Sequence, residues 1–162
     1  MPVTFTTSVY DAQKTTRTSP SRNLAPNIVS SDIQYALIPY TLTSGTDEAA
    51  DDIIQLCVLP AGIIPRPDLS KCICDADPGT ALTVDVGTAA NDDGWGDGVA
   101  MTAAGIIEFC AAAHTQPAWL AQTPLVADTG AGNTVVYATV KTATSPTAGV
   151  IVYFCLAYER GR

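Results

Sequence analysis

The sequence predicts an all-β protein: a single β-sandwich of jelly-roll type behind an extended N-terminal arm. Three observations carry that expectation. Apolar residues fall in short runs, "IIQLCVL" and "VIVYFCLAY" among them, bounded by Gly, Pro or Asn turn signals. Mixed runs alternate with period two, as in "ALTVDV". No stretch holds a 3.6-residue apolar period over the length of a packed helix.

In chain order, residues 1–31 hold eleven Ser or Thr and three Pro, with little apolar periodicity. They read as an extended arm, and 32–162 as the sandwich domain. "IQYALIPYTLT" is a strand, and Pro39 marks an edge position or a bulge because proline cannot donate to a ladder. "DEAADDII" forms a short helical turn or an acidic loop leading into the strand "IIQLCVL". "PAG" turns the chain, and the two prolines of "IIPRPD" make an extended connection. "LSKCICD" alternates Leu69, Lys71 and Ile73 against Ser70, Cys72 and Cys74, so Cys72 and Cys74 share a face.

After the turn "DPG", the strand "ALTVDV" runs into "GTAANDDGWGDGV". That stretch reads as an acidic loop, since Asp and Gly are what turns require. "GIIEFCAAAH" is short for a helix, and Gly105 with its β-branched pair favours a strand. "PAWLAQTPLV" is irregular, broken by Pro117 and Pro124, whereas "NTVVYATVKT" is a strand. "VIVYFCLAY" is the strongest strand, and its unbroken apolar run predicts a central position buried on both faces.

A chain of 162 residues, 47% apolar and 15% charged, suits one domain with a fair core. No apolar run approaches the roughly 18 residues of a membrane span, and the N-terminus has no apolar signal core. No membrane contact or secretion is therefore expected. A net charge of −8 argues against nucleic acid, which rewards clustered Lys and Arg. The charge is unevenly placed, with Lys14, Arg17 and Arg22 ahead of a strongly acidic body. Such an arm can reach an acidic surface while the body keeps the protein soluble.

The five cysteines are expected as reduced, mostly buried thiols. No C-x-x-C pair or H-x-x-x-H spacing supports zinc, so no metal or other cofactor is expected. Catalytic patterns are missing as well. His114 is the only histidine, no G-x-S-x-G elbow accompanies it, and Glu48, Glu108 and Glu159 sit in unrelated contexts. The protein is read as a non-enzyme. Asn91, Asp92, Asp93 and Asp97 do not fit the EF-hand spacing, and Asp92, Asp93, Trp95 and Asp97 form a candidate surface or interface loop. Trp95 either folds back there as an anchor or faces a partner.

The run "IIQLCVLPAGIIPRPDLSKCICDADPGTALTVDVGTAANDDGWGDGV", with "TVVYATVKTATSPTAGVIVYFCLAY", resembles a group of small virion structural proteins of tailed bacteriophages. These are capsid decoration, cement and head-fibre proteins. The resemblance leaves the arm outside, and five cysteines are unusual for the group. It implies a protein made in the host cytoplasm that binds the major capsid protein on the outer face of the virion shell and stabilises capsomer junctions. Matching of capsid symmetry points to a homotrimer, with a dimer second. In the arm, Phe5, Val9 and Tyr10 become candidate apolar anchors, and Lys14, Arg17 and Arg22 candidate polar ones. The alternative is a tail- or fibre-associated carbohydrate- or receptor-binding module, with Trp95 and Trp119 stacking on sugars beside the loop aspartates.

Overall fold

The computed structural model describes residues 4–6, 33–43, 49–111, 124–127 and 132–160. Ten strands organise it: β1 (Thr4–Thr6), β2 (Ile33–Thr41), β3 (Ile53–Pro60), β4 (Ile63–Pro65), β5 (Lys71–Cys74), β6 (Gly79–Thr88), β7 (Asn91–Met101), β8 (Gly105–Glu108), β9 (Asn133–Pro146) and β10 (Ile151–Arg160). They make a sandwich of two sheets, ordered β1-β3-β9-β6-β7 and β2-β10-β5-β8, with β4 also paired to β10. All pairings are antiparallel except β1 with β3. From β2 onward the chain changes sheet at each connection, save from β4 to β5 and through the β6–β7 hairpin. The all-β sandwich expected from the alternation is the fold observed.

The core lies between the sheets and is built by that alternation. β2 turns Ala36, Ile38 and Tyr40 inward, β10 turns Val152, Phe154 and Leu156, and β9 turns Val136, Ala138 and Val140. Cys72 and Cys74 share the inner face of β5, as their spacing predicts. Pro39 lies on β2, an edge strand, where a missing backbone donor is tolerated. "IIPRPD" is more ordered than expected: β4 pairs with β10, and Pro67–Leu69 form a 3-10 turn.

Two further expectations need correction. The acidic stretch is not a loop but β7, an edge strand hairpinned to β6, with Thr88 opposite Asn91. Two glycines of the hairpin, Gly87 on β6 and Gly96 on β7, answer close approaches, while Gly98 takes a left-handed φ. A Cβ on Gly87 would stand 2.1 Å from the Asn91 carbonyl oxygen, and one on Gly96 would press on Val99 and on the Phe109 ring. Nor is β10 buried on both faces. Ile151, Tyr153 and Cys155 are only partly covered, because the sandwich has two layers and these residues point away from the core.

Candidate docking surface

Of the four residues singled out in β7, three face water to some degree and one does not. Asp92 is exposed and Asp93 and Asp97 are partly so, whereas Trp95 is fully buried. Trp95 is therefore the anchor of the strand rather than a partner-facing ring, and it cannot stack on a sugar. Its indole Nε1–H donates to Ser70 Oγ at 2.9 Å, tying the edge of the first sheet to the entrance of β5 in the second.

Ser70 does more than receive that bond. β10 is flanked on one side by β5 along Val152–Cys155 and by β4 along Tyr158–Arg160, which leaves a gap between the two ladders. Ser70 Oγ fills it by accepting the Ala157 N–H at 2.9 Å and donating to the Arg66 carbonyl at 2.8 Å. Arg66 N–H in turn donates to the Ala157 carbonyl at 2.9 Å. The Arg66 guanidinium closes the outside of the junction against Asp68, at 2.7 Å, and Glu159. Its hydrogen bonds raise its own pKa and hold the Asp68 carboxyl below the usual range. One buried hydroxyl thus bridges β4, β5 and β10 where the two ladders part.

The outer face of the first sheet is partly apolar on β3 and β9, where Ile53, Val58, Val135 and Tyr137 are half-buried, and polar toward β6 and β7. Asp85 is buried there, accepts the Gly98 N–H at 2.7 Å, and sits 3.1 Å from Lys141 Nζ. Gly98 takes the left-handed φ of +62° that aims its N–H at this carboxylate. The Asp85 carboxylate holds the Lys141 ammonium above its usual pKa. Burial, then the nearby Asp85 and Asp93 charges, push Asp97 above the usual carboxylate value. A carboxyl whose pKa is raised by folding binds its proton more tightly in the folded state, so stability falls as pH rises through that pKa. Asp97→Asn is expected to raise the melting temperature at pH 7. That gain should shrink toward zero as pH drops below about 4, where the native carboxyl is also neutral. Paired melting curves across pH check this, and a gain independent of pH would contradict it.

The outer face of the second sheet is more exposed and more continuously apolar. A sandwich strand with water outside normally alternates apolar and polar residues. Here the register lines up Pro39, Tyr153, Ile73 and Ile106 in one row across β2, β10, β5 and β8. The next row is Leu37, Cys155, Lys71 and Glu108. Tyr35, Leu37 and Ile106 are 55%, 57% and 64% exposed. Apolar side chains thus occupy both faces of the sheet, which explains the unbroken apolar run of β10 that alternation alone does not. Sequence reasoning missed this face because it needs cross-strand register to assemble.

The remaining site residues are quickly placed. Of residues 1–31 only 4–6 are described, and the Phe5 backbone lies opposite Ile54 in the parallel β1–β3 pairing. Val9, Tyr10, Lys14, Arg17 and Arg22, like His114 and Trp119, lie outside the described residues. The five cysteines are free thiols. Burial pushes Cys74 up to about 11 and Cys72 well above its usual value, which keeps them as unreactive thiols at neutral pH.

No protein-family model and no curated protein matches the sequence. Among solved structures, a chain of the capsid of Ralstonia phage GP4 aligns with a TM-score of 0.59 and 22% identity, over 99% of both chains. The two chains share a fold. A chain of the cyanophage Pam1 capsid asymmetric unit aligns at a TM-score of 0.47 and 19% identity, over 88% of this chain and 99% of that one.

Proposed function

We propose that this chain is a non-enzymatic structural protein of a phage virion. In this role it is a decoration or cement protein that binds the major capsid protein on the outer face of the shell and stabilises capsomer junctions. The observation that carries the proposal is the end-to-end likeness in fold to a chain of the Ralstonia phage GP4 capsid. The exposed apolar residues on the outer face of the second sheet, Tyr35, Leu37 and Ile106, offer a contact surface on the side of the sandwich away from the acidic strand. We take the sandwich to be a jelly roll. With β1 and β4 set aside, the remaining eight strands divide four and four, and the chain passes between sheets at every step but the β6–β7 hairpin.

The same proposal keeps residues 1–31 as an attachment arm and 32–162 as the body, with Phe5, Val9, Tyr10, Lys14, Arg17 and Arg22 as its contacts to the shell. Ordering such an arm costs chain entropy that its contacts must exceed. Asp92, Asp93 and Asp97 form an acidic rim that keeps the outer surface soluble. No observation favours sugar binding, given the burial of Trp95.

Cosedimentation of the purified protein with matching shells that lack it tests the proposal. Saturable binding at a fixed ratio to the major capsid protein is expected. Deleting residues 1–31 should keep the fold and weaken binding about tenfold or more, which corresponds to the loss of about 1.4 kcal/mol of contact. Absence of binding by the full chain would overturn the proposal. Undiminished binding by the truncated chain would remove the arm from it.

A further inference from the structure

We infer, independently of the capsid proposal, that the edge of β3 accepts the N-terminal strand of a second copy as well as its own. Copies held close together are then linked by exchanged β1 strands. The starting point is the one parallel ladder among the described strands, in which Thr4, Phe5 and Thr6 lie opposite Ile53, Ile54 and Gln55. β1 is three residues long and pairs with no other described strand. It therefore closes the edge of the first sheet through its extended backbone, laid against a single neighbour. A strand added in this way is recognised by main-chain hydrogen bonds, which are the same whichever copy supplies it.

Register bounds the path from β1 back to the body. Thr6 stands opposite Gln55, β3 runs on to Pro60, and Ile64 follows in β4. Ile64 pairs with Glu159, and Glu159 with Ile33, the first residue of β2. At ~3.3 Å per residue along the strands and ~4.8 Å per ladder crossed, Thr6 and Ile33 of one copy lie within about 45 Å. Residues 7–32 join them, and a chain of that length reaches roughly 85 Å. The connection is about twice as long as its own path requires. A body of this size is roughly 36 Å across, so a β3 edge one body-width away is also within reach.

Local concentration decides between the two partners. Exchange remakes the contacts that it breaks, which makes it a low-cost route to linked copies. A tether presents its own strand at an effective concentration in the millimolar range. At micromolar protein each copy keeps its own β1, whereas copies packed side by side exchange. Charge does not oppose this: each copy carries −8, but residues 2–6 hold no ionisable side chain, so the strand meets an acidic neighbour without repulsion. On a shell the same exchange would join neighbour to neighbour. Phe5 would then contact a second copy, with the later arm residues left for the shell.

Mixing two full-length variants in solution tests this without shells. Both carry Cys110→Ser and Cys155→Ser, which remove the two partly exposed thiols. One adds Thr6→Cys and the other Gln55→Cys, register partners at a spacing that a disulfide spans. A brief oxidising pulse after equilibration traps the pairing present. The mixed dimer should stay below about 1% at about 10 μM and reach about a tenth of the chains at about 2 mM. Thr6→Cys mixed with Thr144→Cys, an exposed position that pairs with β6, reports random collision. One chain carrying both Thr6→Cys and Gln55→Cys should close on itself at about 10 μM, since its own strand is then the favoured partner. A mixed dimer no more abundant at 2 mM than the collision control would overturn the exchange. Failure of the double variant to close on itself would overturn it too, because β1 would then not be held on β3. Neither result touches the capsid proposal, which shell binding decides separately.

Discussion

Replacing Trp95 with alanine should cost about 3–5 kcal/mol of stability, the usual range for emptying a large aromatic site in a core. For a domain of this size that is a fall in melting temperature on the order of 10 °C. The physical cause is local. Trp95 is the largest fully buried side chain, its ring fills the space between the two sheets, and its N–H bridges them through Ser70. β7 is an edge strand with a neighbour on one side, so its hold on the opposite sheet rests on Trp95 together with the buried Val99 and Met101. Trp95→Phe keeps much of the volume but loses the donor, and should cost markedly less. A loss below about 1 kcal/mol for the alanine variant would mean the site collapses without penalty.

Ser70→Ala should be nearly as damaging despite removing one oxygen atom. The hydroxyl accepts two buried N–H groups, from Trp95 and Ala157, and donates to the Arg66 carbonyl. Alanine leaves both donors without that acceptor, and each unsatisfied buried group costs about 1–3 kcal/mol. A total of about 2–4 kcal/mol is expected by denaturant unfolding. The two sites should also be coupled. In the Ser70→Ala background the Trp95 N–H has already lost its partner, so Trp95→Phe should cost about 1 kcal/mol less than it does alone. Additive effects would show that the indole–hydroxyl bond contributes nothing.

The sequence made some of this legible and concealed the rest for identifiable reasons. β2, β3, β6, β9 and β10 were readable because burial on one side enforces alternation or an apolar run, and Pro39 correctly signalled an edge. β7 was hidden because Gly96 makes room for Phe109 and Gly87, across the hairpin on β6, for the Asn91 carbonyl, while the aspartates of β7 are at least partly exposed. Those are the same residue types that a turn would use. Trp95 could be recognised as special but not placed, since an anchor and an interface ring look alike in one dimension. The role of Ser70 was invisible, because it depends on a gap between β4 and β5 that exists only in the assembled sheet. The apolar outer face was half legible. β10 betrayed itself by failing to alternate, but the rows that join it to Leu37, Ile73 and Ile106 come from register alone.

That face also connects the stability of the fold to its proposed use. The Ser70 junction fixes β5 against β10, and β5 and β10 contribute the middle of the apolar surface. Loosening the junction should therefore blunt docking as well as lower stability.

Electron cryomicroscopy of shells saturated with the added protein tests the central claim most directly. The expected result is density for the ten-stranded sandwich on the outer surface, repeated at the junctions between capsomers. Density on the inner surface, on the tail alone, or nowhere on the particle would contradict it.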